Sequence, residues 1–404
     1  MTQEFSPKEI TRLRDDTPGC SHVTHLNSAG ASLMPQPVIS AILEHIKLEG
    51  NMGGYEAAGL MEEQQSGFYG AAARLLNTKA QNIAYTANAT DAYTRALSSV
   101  LFKAGDIILT TDDDYVSNQI NFLSMAKRFG TVTKRVKNAP GGGIDLNDLD
   151  KQLKELNPKL LSITHIPTNS GLVQPVEEIG SIVKKYDTLY LLDACQSAGQ
   201  KPLDVGQLGC DFLSATARKF LRGPRGAGFL YVSDKALDLG LEPLFIDMRG
   251  ADWVEKDKYL PGKDAKRFED WESACALLLG TKAAIEYSLN IGIDRIWARI
   301  KHLADYTRQK LQEIDALKLL DEGPELCSII TFNIPGFEAE AIKSKLASAK
   351  INVVTSYRIF AVIDYDKKGV QWAIRVSPHY FNLESEIDFF IEQLKLIIEN
   401  KILN

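Results

Sequence analysis

Long apolar runs, a basic excess and paired cysteines are all missing from this chain of 404 residues. No hydrophobic stretch reaches the ~20 residues that a membrane-spanning helix needs. The opening residues, Met1-Thr2-Gln3-Glu4-Phe5, have neither the basic nor the apolar region of a secretion signal. No membrane partner is expected, and a cytoplasmic location is the default expectation. The net charge of −6 argues against nucleic acid as a main partner. The five cysteines, Cys20, Cys195, Cys210, Cys275 and Cys327, are odd in number, scattered and without a Cys-x-x-Cys. That pattern argues against a disulfide framework and against a zinc site. Six histidines are equally dispersed; His22 and His25 are close but have no third ligand nearby, so no metal is expected. Repeats and low-complexity tracts are absent as well. What remains is an ordinary globular composition, 45% hydrophobic and 24% charged, sufficient for one large domain and a smaller one.

The middle of the chain alternates strand-like and helix-like runs. Strand candidates are 83–86, 107–111, 131–136, 160–165, 189–193, 212–216 and 228–232, with helical periodicity between several of them, for instance over 176–185. This βαβ rhythm predicts an α/β architecture whose mostly parallel seven-stranded sheet is sandwiched by helices. The character changes near residue 290. Strand candidates 328–334, 351–355, 360–364 and 372–377 come with two helices and predict a smaller α+β domain. The last helix is signalled by Asn382 as a cap, Glu384 and Glu386 in the first turn, and the apolar stripe Ile387, Phe390, Ile391, Leu394 and Ile398. The expected division is 1–21 as an N-terminal segment packing on the small domain, 22–289 as the large domain, and 290–404 as the small one.

Two charged groups stand at successive strand ends. The run ending at Leu192 gives Asp193-Ala194-Cys195-Gln196, and the next ends in Thr216-Ala217-Arg218-Lys219 before a turn rich in glycine and proline. In a parallel sheet, ligands bind beyond the carboxyl ends of the strands. A lysine and a carboxylate there are what pyridoxal 5'-phosphate requires: an amine for its aldehyde and an acid for its ring nitrogen. Such a lysine should be partly desolvated, to be unprotonated near neutral pH, and the aspartate should keep the ring nitrogen protonated. Gln196 is placed to donate to the phenolic oxygen. Any one lysine is more often a solvated surface charge; the Asp-x-x-Gln to Lys combination is the specific signal.

With these residues the chain resembles class V of the fold-type I pyridoxal-phosphate enzymes, a group that includes cysteine desulfurases, cystine C–S lyases, isopenicillin-epimerase-like proteins and kynureninase. The likeness runs from His25-Leu26-Asn27-Ser28-Ala29-Gly30 to Arg375-Val376-Ser377-Pro378-His379. It implies a PLP-dependent transferase fold of type I and a homodimer acting on an amino-acid substrate. The segment Thr86 to Ala92 ends a strand and opens a helix, whose N-terminus suits phosphate. An ordinary N-cap by Asn88 or Thr90 would explain the same residues, and the resemblance favours phosphate contacts from Asn88, Ala89 and Thr90. It likewise implies that Thr216 and Arg218 reach the phosphate, where desulfurases have Ser-x-His, and that Tyr115 stacks on the ring. Gapless matching to the desulfurases puts Thr168 against the phenolic oxygen; the C–S-lyase pattern puts Asn169 there and is preferred.

Arg375 is an arginine in an otherwise apolar strand and should have an anionic partner. A structural salt bridge is one reading. The resemblance offers the substrate α-carboxylate, with Ala29 and Gly30 lining the same pocket. Gly53-Gly54-Tyr55-Glu56 and Arg267 to Glu272 resemble segments that complete the pocket across a dimer interface, so Tyr55 is a further substrate candidate. Relatives read Arg-Phe-Glu-x-Gly-Thr in the second segment, and that threonine touches the partner's phosphate. Here Trp271-Glu272-Ser273 stands instead, with Ser273 as the only substitute.

Desulfurases also carry a loop cysteine shortly before the segment that matches Arg375, and this chain has none between Ile351 and Arg375. The expected activity is therefore a C–S lyase, by β-elimination from a cysteine-derived amino acid, sulfoxides included. A class V aminotransferase is the second expectation and an epimerase the third. A non-catalytic scaffold is the alternative of another kind, disfavoured by the intact Asp193, Gln196 and Lys219.

Overall fold

The computed structural model describes residues 4–402, so the first three residues of the N-terminal segment lie outside the described residues. Seven strands form one sheet, in the order Ile83–Thr86, Gly228–Val232, Phe212–Thr216, Leu189–Asp193, Leu160–Thr164, Ile107–Thr110 and Val132–Arg135. All run in the same sense except Gly228–Val232, which is antiparallel to both neighbours. Neighbouring residues of a strand enter different cores. Leu109, Tyr190, Leu192, Leu213 and Phe229 join one cluster, while Ile108, Leu191, Phe212 and Leu230 join another. Side chains alternate across a sheet, so both faces are covered, which is why these strands read as continuous apolar runs. The sheet and its helices match the α/β architecture expected from the sequence.

The register aligns the strand ends. Thr164 pairs with Asp193, Asp193 with Ser214, and Gly228 with both Thr86 and Thr216. The carboxyl ends of four strands and the first residue of the antiparallel one therefore share one edge. At Gly228 a Cβ would stand 2.6 Å from Ala215 O and 2.8 Å from the carbonyl carbon of Asn88, so only glycine lets strand and helix approach this closely.

The C-terminal part has a four-stranded antiparallel sheet, in the order Lys318–Leu319, Ile330–Asn333, Trp372–Val376 and Val354–Tyr357. The helices Ile293–Gln312, Ala339–Ser348 and Glu384–Ile402 pack against it through a core that includes Leu303, Phe332, Leu346, Ile374 and Phe390. The stripe Ile387, Phe390, Ile391, Leu394 and Ile398 is buried there. Its cap differs from expectation: Asn382 Oδ1 accepts from His379 N–H, and the Glu386 carboxylate accepts from Leu383 N–H at 2.9 Å.

The strand expected over 360–364 is absent. A 3₁₀ turn at Arg358–Phe360 leads into the helix Val362–Lys368. Ile359, Phe360 and Val362 imitate a strand by composition, yet they are 44–66% exposed. The helix is secured by the pair Asp364–Lys368 at i,i+4, 2.7 Å apart, and stopped by Gly369 at φ 66°. The sheet takes Lys318–Leu319 as its fourth strand instead. The helix Pro7–Asp15 lies against this part of the chain, through Leu13 beside Tyr380 and Phe381, and Arg14 3.1 Å from Glu386. No described helix is long and apolar enough to cross a membrane.

Candidate active site

Lys219 lies three residues past the strand Phe212–Thr216, in a turn closed by Gly223 N–H donating to Ala217 O at 2.8 Å. Its side chain is buried and makes no ion pair among the described residues. Burial lowers its pKa, and the neighbouring Arg218 and Arg375 guanidinium groups push the same way. The amine is thereby biased toward the neutral, nucleophilic form. Its Nζ stands 5.9 Å from the centroid of the Tyr115 ring.

Asp193 ends the next strand. One carboxylate oxygen accepts from Cys195 N–H and the other from Asn118 Nδ2, each at 3.0 Å. Asn118 was not singled out from the sequence. Its position three residues after Tyr115 on the helix Val116–Phe129 puts it one turn along the same face, and that spacing was the available signal. The turn before this helix is locked by Asp114, which accepts from Thr110 Oγ1 and, at 2.6 Å, from Thr164 N–H. Thr164 Oγ1 accepts in turn from Tyr115 N–H at 3.1 Å. Burial raises the Asp114 carboxyl to about 7.

A cavity of about 310 Å³ opens between these groups. Ten of the residues chosen from sequence line it: Asn88, Ala89, Thr90, Tyr115, Thr168, Asp193, Gln196, Thr216, Arg218 and Lys219. Thr164, Ile166, Cys195, Arg225 and Gly226 line it too and were not chosen. Asn88 does cap its helix, its Oδ1 accepting from Asp91 N–H at 3.0 Å. The capping leaves the first-turn N–H groups of Ala89 and Thr90 directed outward for an anion.

The other choices fall differently. Asn169 does not line the cavity: its Nδ2 donates to Asp364 Oδ2 at 2.8 Å, because the helix Val362–Lys368 offers a buried carboxylate on that side. Thr168, the alternative at that position, does line the cavity. It accepts from Gln196 Nε2 at 2.9 Å and from Arg375 at 2.7 Å. Ala29 O accepts from Gln196 Nε2 at 3.2 Å, and Gly30 O accepts from Arg218, so this segment borders the site through its backbone. Arg218 thus spends one nitrogen on Gly30. Tyr55 and Ser273 line a neighbouring groove of about 790 Å³ instead, together with Glu269 and Trp271.

Arg375 is 7% exposed and has no carboxylate partner among the described residues. It donates to Thr168 O at 2.9 Å and to Asn27 Oδ1 at 3.4 Å, while its Nε is buried without a partner. Burial lowers its pKa to about 10. A structural salt bridge is therefore not what holds it. Gln196 Oε1 is also buried and unpartnered. Beside this cavity, these two orphan atoms are available to a polar ligand.

These groups fit pyridoxal phosphate: a buried amine, an oriented carboxylate, an aromatic face, and a helix N-terminus at one edge. The family described as Aminotransferase class-V matches residues 24–390. A probable cysteine desulfurase of Pyrococcus abyssi is 27% identical over 397 residues, covering 96% of this chain and 97% of that protein. The apo structure of the cysteine desulfurase from Thermococcus onnurineus NA1 superposes with a TM-score of 0.89 at 25% identity, covering 99% of this chain and 100% of that one. A cystine C–S lyase solved with its reaction product, cysteine persulfide, has the same fold, with a TM-score of 0.83 at 24% identity over 94% of this chain and 98% of that one. The chain belongs to the class-V aminotransferase family and is a pyridoxal-phosphate-dependent enzyme.

Proposed function

We propose that this enzyme is a C–S lyase, which eliminates the sulfur substituent from Cβ of a cysteine-derived amino acid and releases it directly. The observation that carries the reading is the segment before Arg375. Where desulfurases carry the cysteine that accepts sulfur, this chain has the helix Val362–Lys368, with no thiol between Ile351 and Arg375. The helix is fastened in place, Asp364 to Asn169 at 2.8 Å and Lys367 to Asp112 at 2.5 Å. Cys195 is the one cysteine lining the Lys219 cavity among the described residues, and burial pushes its thiol well up, away from a reactive thiolate.

In this reading Arg375 binds the substrate α-carboxylate with the donors that its fold leaves unpaired by acid. Thr168 and Asn27 orient that guanidinium. Bound cofactor supplies the electron sink for the pair left at Cα. Asp193, held by Asn118 and Cys195 N–H, would pair with the cofactor's ring nitrogen and favour its protonated form. Tyr115, Gln196 and Thr168 line the same cavity and would hold the ring and its phenolic oxygen. Lys219 Nζ would take the proton from Cα of the bound substrate. The C–S bond then breaks with its electrons going to sulfur, and the three-carbon remainder hydrolyses to pyruvate and ammonia. Nothing in this scheme needs a protein persulfide.

The test is to incubate holoenzyme with cystine, S-substituted cysteines and their sulfoxides and to assay pyruvate and ammonia. Equimolar release of both is expected, without any added keto acid. Amine transfer that depends on a keto acid, with no pyruvate from any sulfur substrate, would replace the lyase by an aminotransferase.

A further inference from the structure

We propose that Arg225 is a phosphate anchor of the cofactor site, contributed by the same chain that supplies Lys219. Arg225 sits in Gly223-Pro224-Arg225-Gly226-Ala227-Gly228, a segment whose composition suggests a mere turn. Topology gives it a different place. The strand Gly228–Val232 is the one antiparallel member of the sheet, so its start lies where its neighbours end. Gly228 pairs with Thr86 on one side and Thr216 on the other, and it abuts the backbone of Asn88 and Ala89. Those two strand ends carry the candidate phosphate residues, Asn88 to Thr90 and Thr216. The loop before Gly228, turned by Gly226 at φ 87°, brings Arg225 into the cavity wall beside them.

Arg225 makes no hydrogen bond or ion pair with any described residue. Arg218 lines the same cavity, and the charge of Arg225 depresses its pKa, second to burial. Asp193 is the one carboxylate lining this cavity, and it lies with Cys195 and Asn118, at the ring end. An uncompensated cation pair beside a helix N-terminus is a site for a multiply charged anion. The inference holds whichever reaction the holoenzyme performs.

The measurement is equilibrium binding to cofactor-free protein, followed by the visible band, for pyridoxal phosphate and for pyridoxal, which lacks the phosphate. Losing a charge-assisted contact should weaken pyridoxal phosphate binding by about ten-fold or more in Arg225→Gln. Pyridoxal binding should be unchanged. Arg225→Lys should fall between, because it keeps charge but loses the planar fork. Inorganic phosphate should compete with cofactor loading in the unaltered protein and less well in Arg225→Gln. Equal weakening toward both aldehydes, or none toward either, overturns the proposal. The melting curve of each cofactor-free variant, expected unchanged at this exposed position, separates lost binding from lost folding.

Discussion

Arg308 and Arg375 are nearly equally buried, 8% and 7% exposed, but in their two regions they use their charge differently. Arg308, on the helix Ile293–Gln312, donates to Asp321 at 2.9 Å and to the carbonyls of Cys327 and Ile329 at 2.8 Å. Its charge is consumed in tying the helix to the chain beside the C-terminal sheet. Arg375, on the strand Trp372–Val376, meets only neutral acceptors, Thr168 and Asn27. The lack of an acid is not by itself enough to mark a ligand site. Arg222 also lacks one, yet its guanidinium lies against the rings of Tyr287, Tyr380 and Phe381, and it donates to Leu33 O, Tyr380 and Thr17. What distinguishes Arg375 is the missing acid together with an orphan Nε beside a cavity that holds a buried, unpaired lysine.

The most severe break of the cavity side is Lys219→Ala. It should remove the visible band of the bound cofactor and lower turnover by ~10³-fold or more, read by absorbance and by steady-state assay. Next, the two arginines should cross over. Arg308→Met leaves Asp321, whose side chain is 3% exposed, without its partner and should cost ~3–5 kcal/mol in denaturant unfolding. Its effect on kcat/KM at a permissive temperature should be small. Arg375→Met should lower kcat/KM by ~100-fold or more through lost carboxylate binding, while cofactor-free protein keeps or gains stability. An Arg375→Met variant that unfolds like Arg308→Met would show that both arginines are structural.

A third test uses pH. Burial depresses the Lys219 pKa below its ordinary 10.5, so the folded, cofactor-free protein binds fewer protons there than the unfolded chain. Stability from this site therefore rises with pH between the folded pKa and 10.5 and is lowest below that window. Cofactor-free Lys219→Met should melt higher than the unaltered protein at low and neutral pH. The advantage should shrink as pH approaches 10.5, as thermal unfolding across pH will show. The smallest expected effect belongs to Glu384, held to about 2 by Arg299 at the junction of the helices Ile293–Gln312 and Glu384–Ile402. A depressed carboxylate contributes stability above its ordinary 4.5 and loses it as pH falls through about 2. Because the Glu384 side chain is 39% exposed, Glu384→Gln should cost no more than ~1 kcal/mol at pH 7 and nothing near pH 2, by unfolding titrations at both.

Much of the large sheet was legible because a strand covered on both faces must be apolar throughout; all seven runs are strands, although Val132–Arg135 at the sheet edge is largely exposed and polar. Lys219, Asp193 and Gln196 were legible because strand ends in a parallel sheet gather at one edge. The helix Val362–Lys368 was misread because exposed Val362 and, in the turn before it, Ile359 and Phe360 look like strand residues, and composition carries no information about exposure. Asn169 was preferred over Thr168 on the C–S-lyase pattern, and of the two only Thr168 lines the cavity. Which of two adjacent side chains turns inward was decided by Asp364, 195 residues away in sequence.

By itself the sequence determined the alternation that makes the sheet, the lysine and carboxylate that select the cofactor, and the missing loop thiol. These follow from local pattern and residue chemistry. Only the tertiary structure decided that Asn118 orients Asp193, that Arg375 has no acid, and that Arg225 faces the cavity. Each of those depends on which distant segments become neighbours. An arginine's partner, or its lack of one, is fixed only when the sheet order and the one reversed strand are in place.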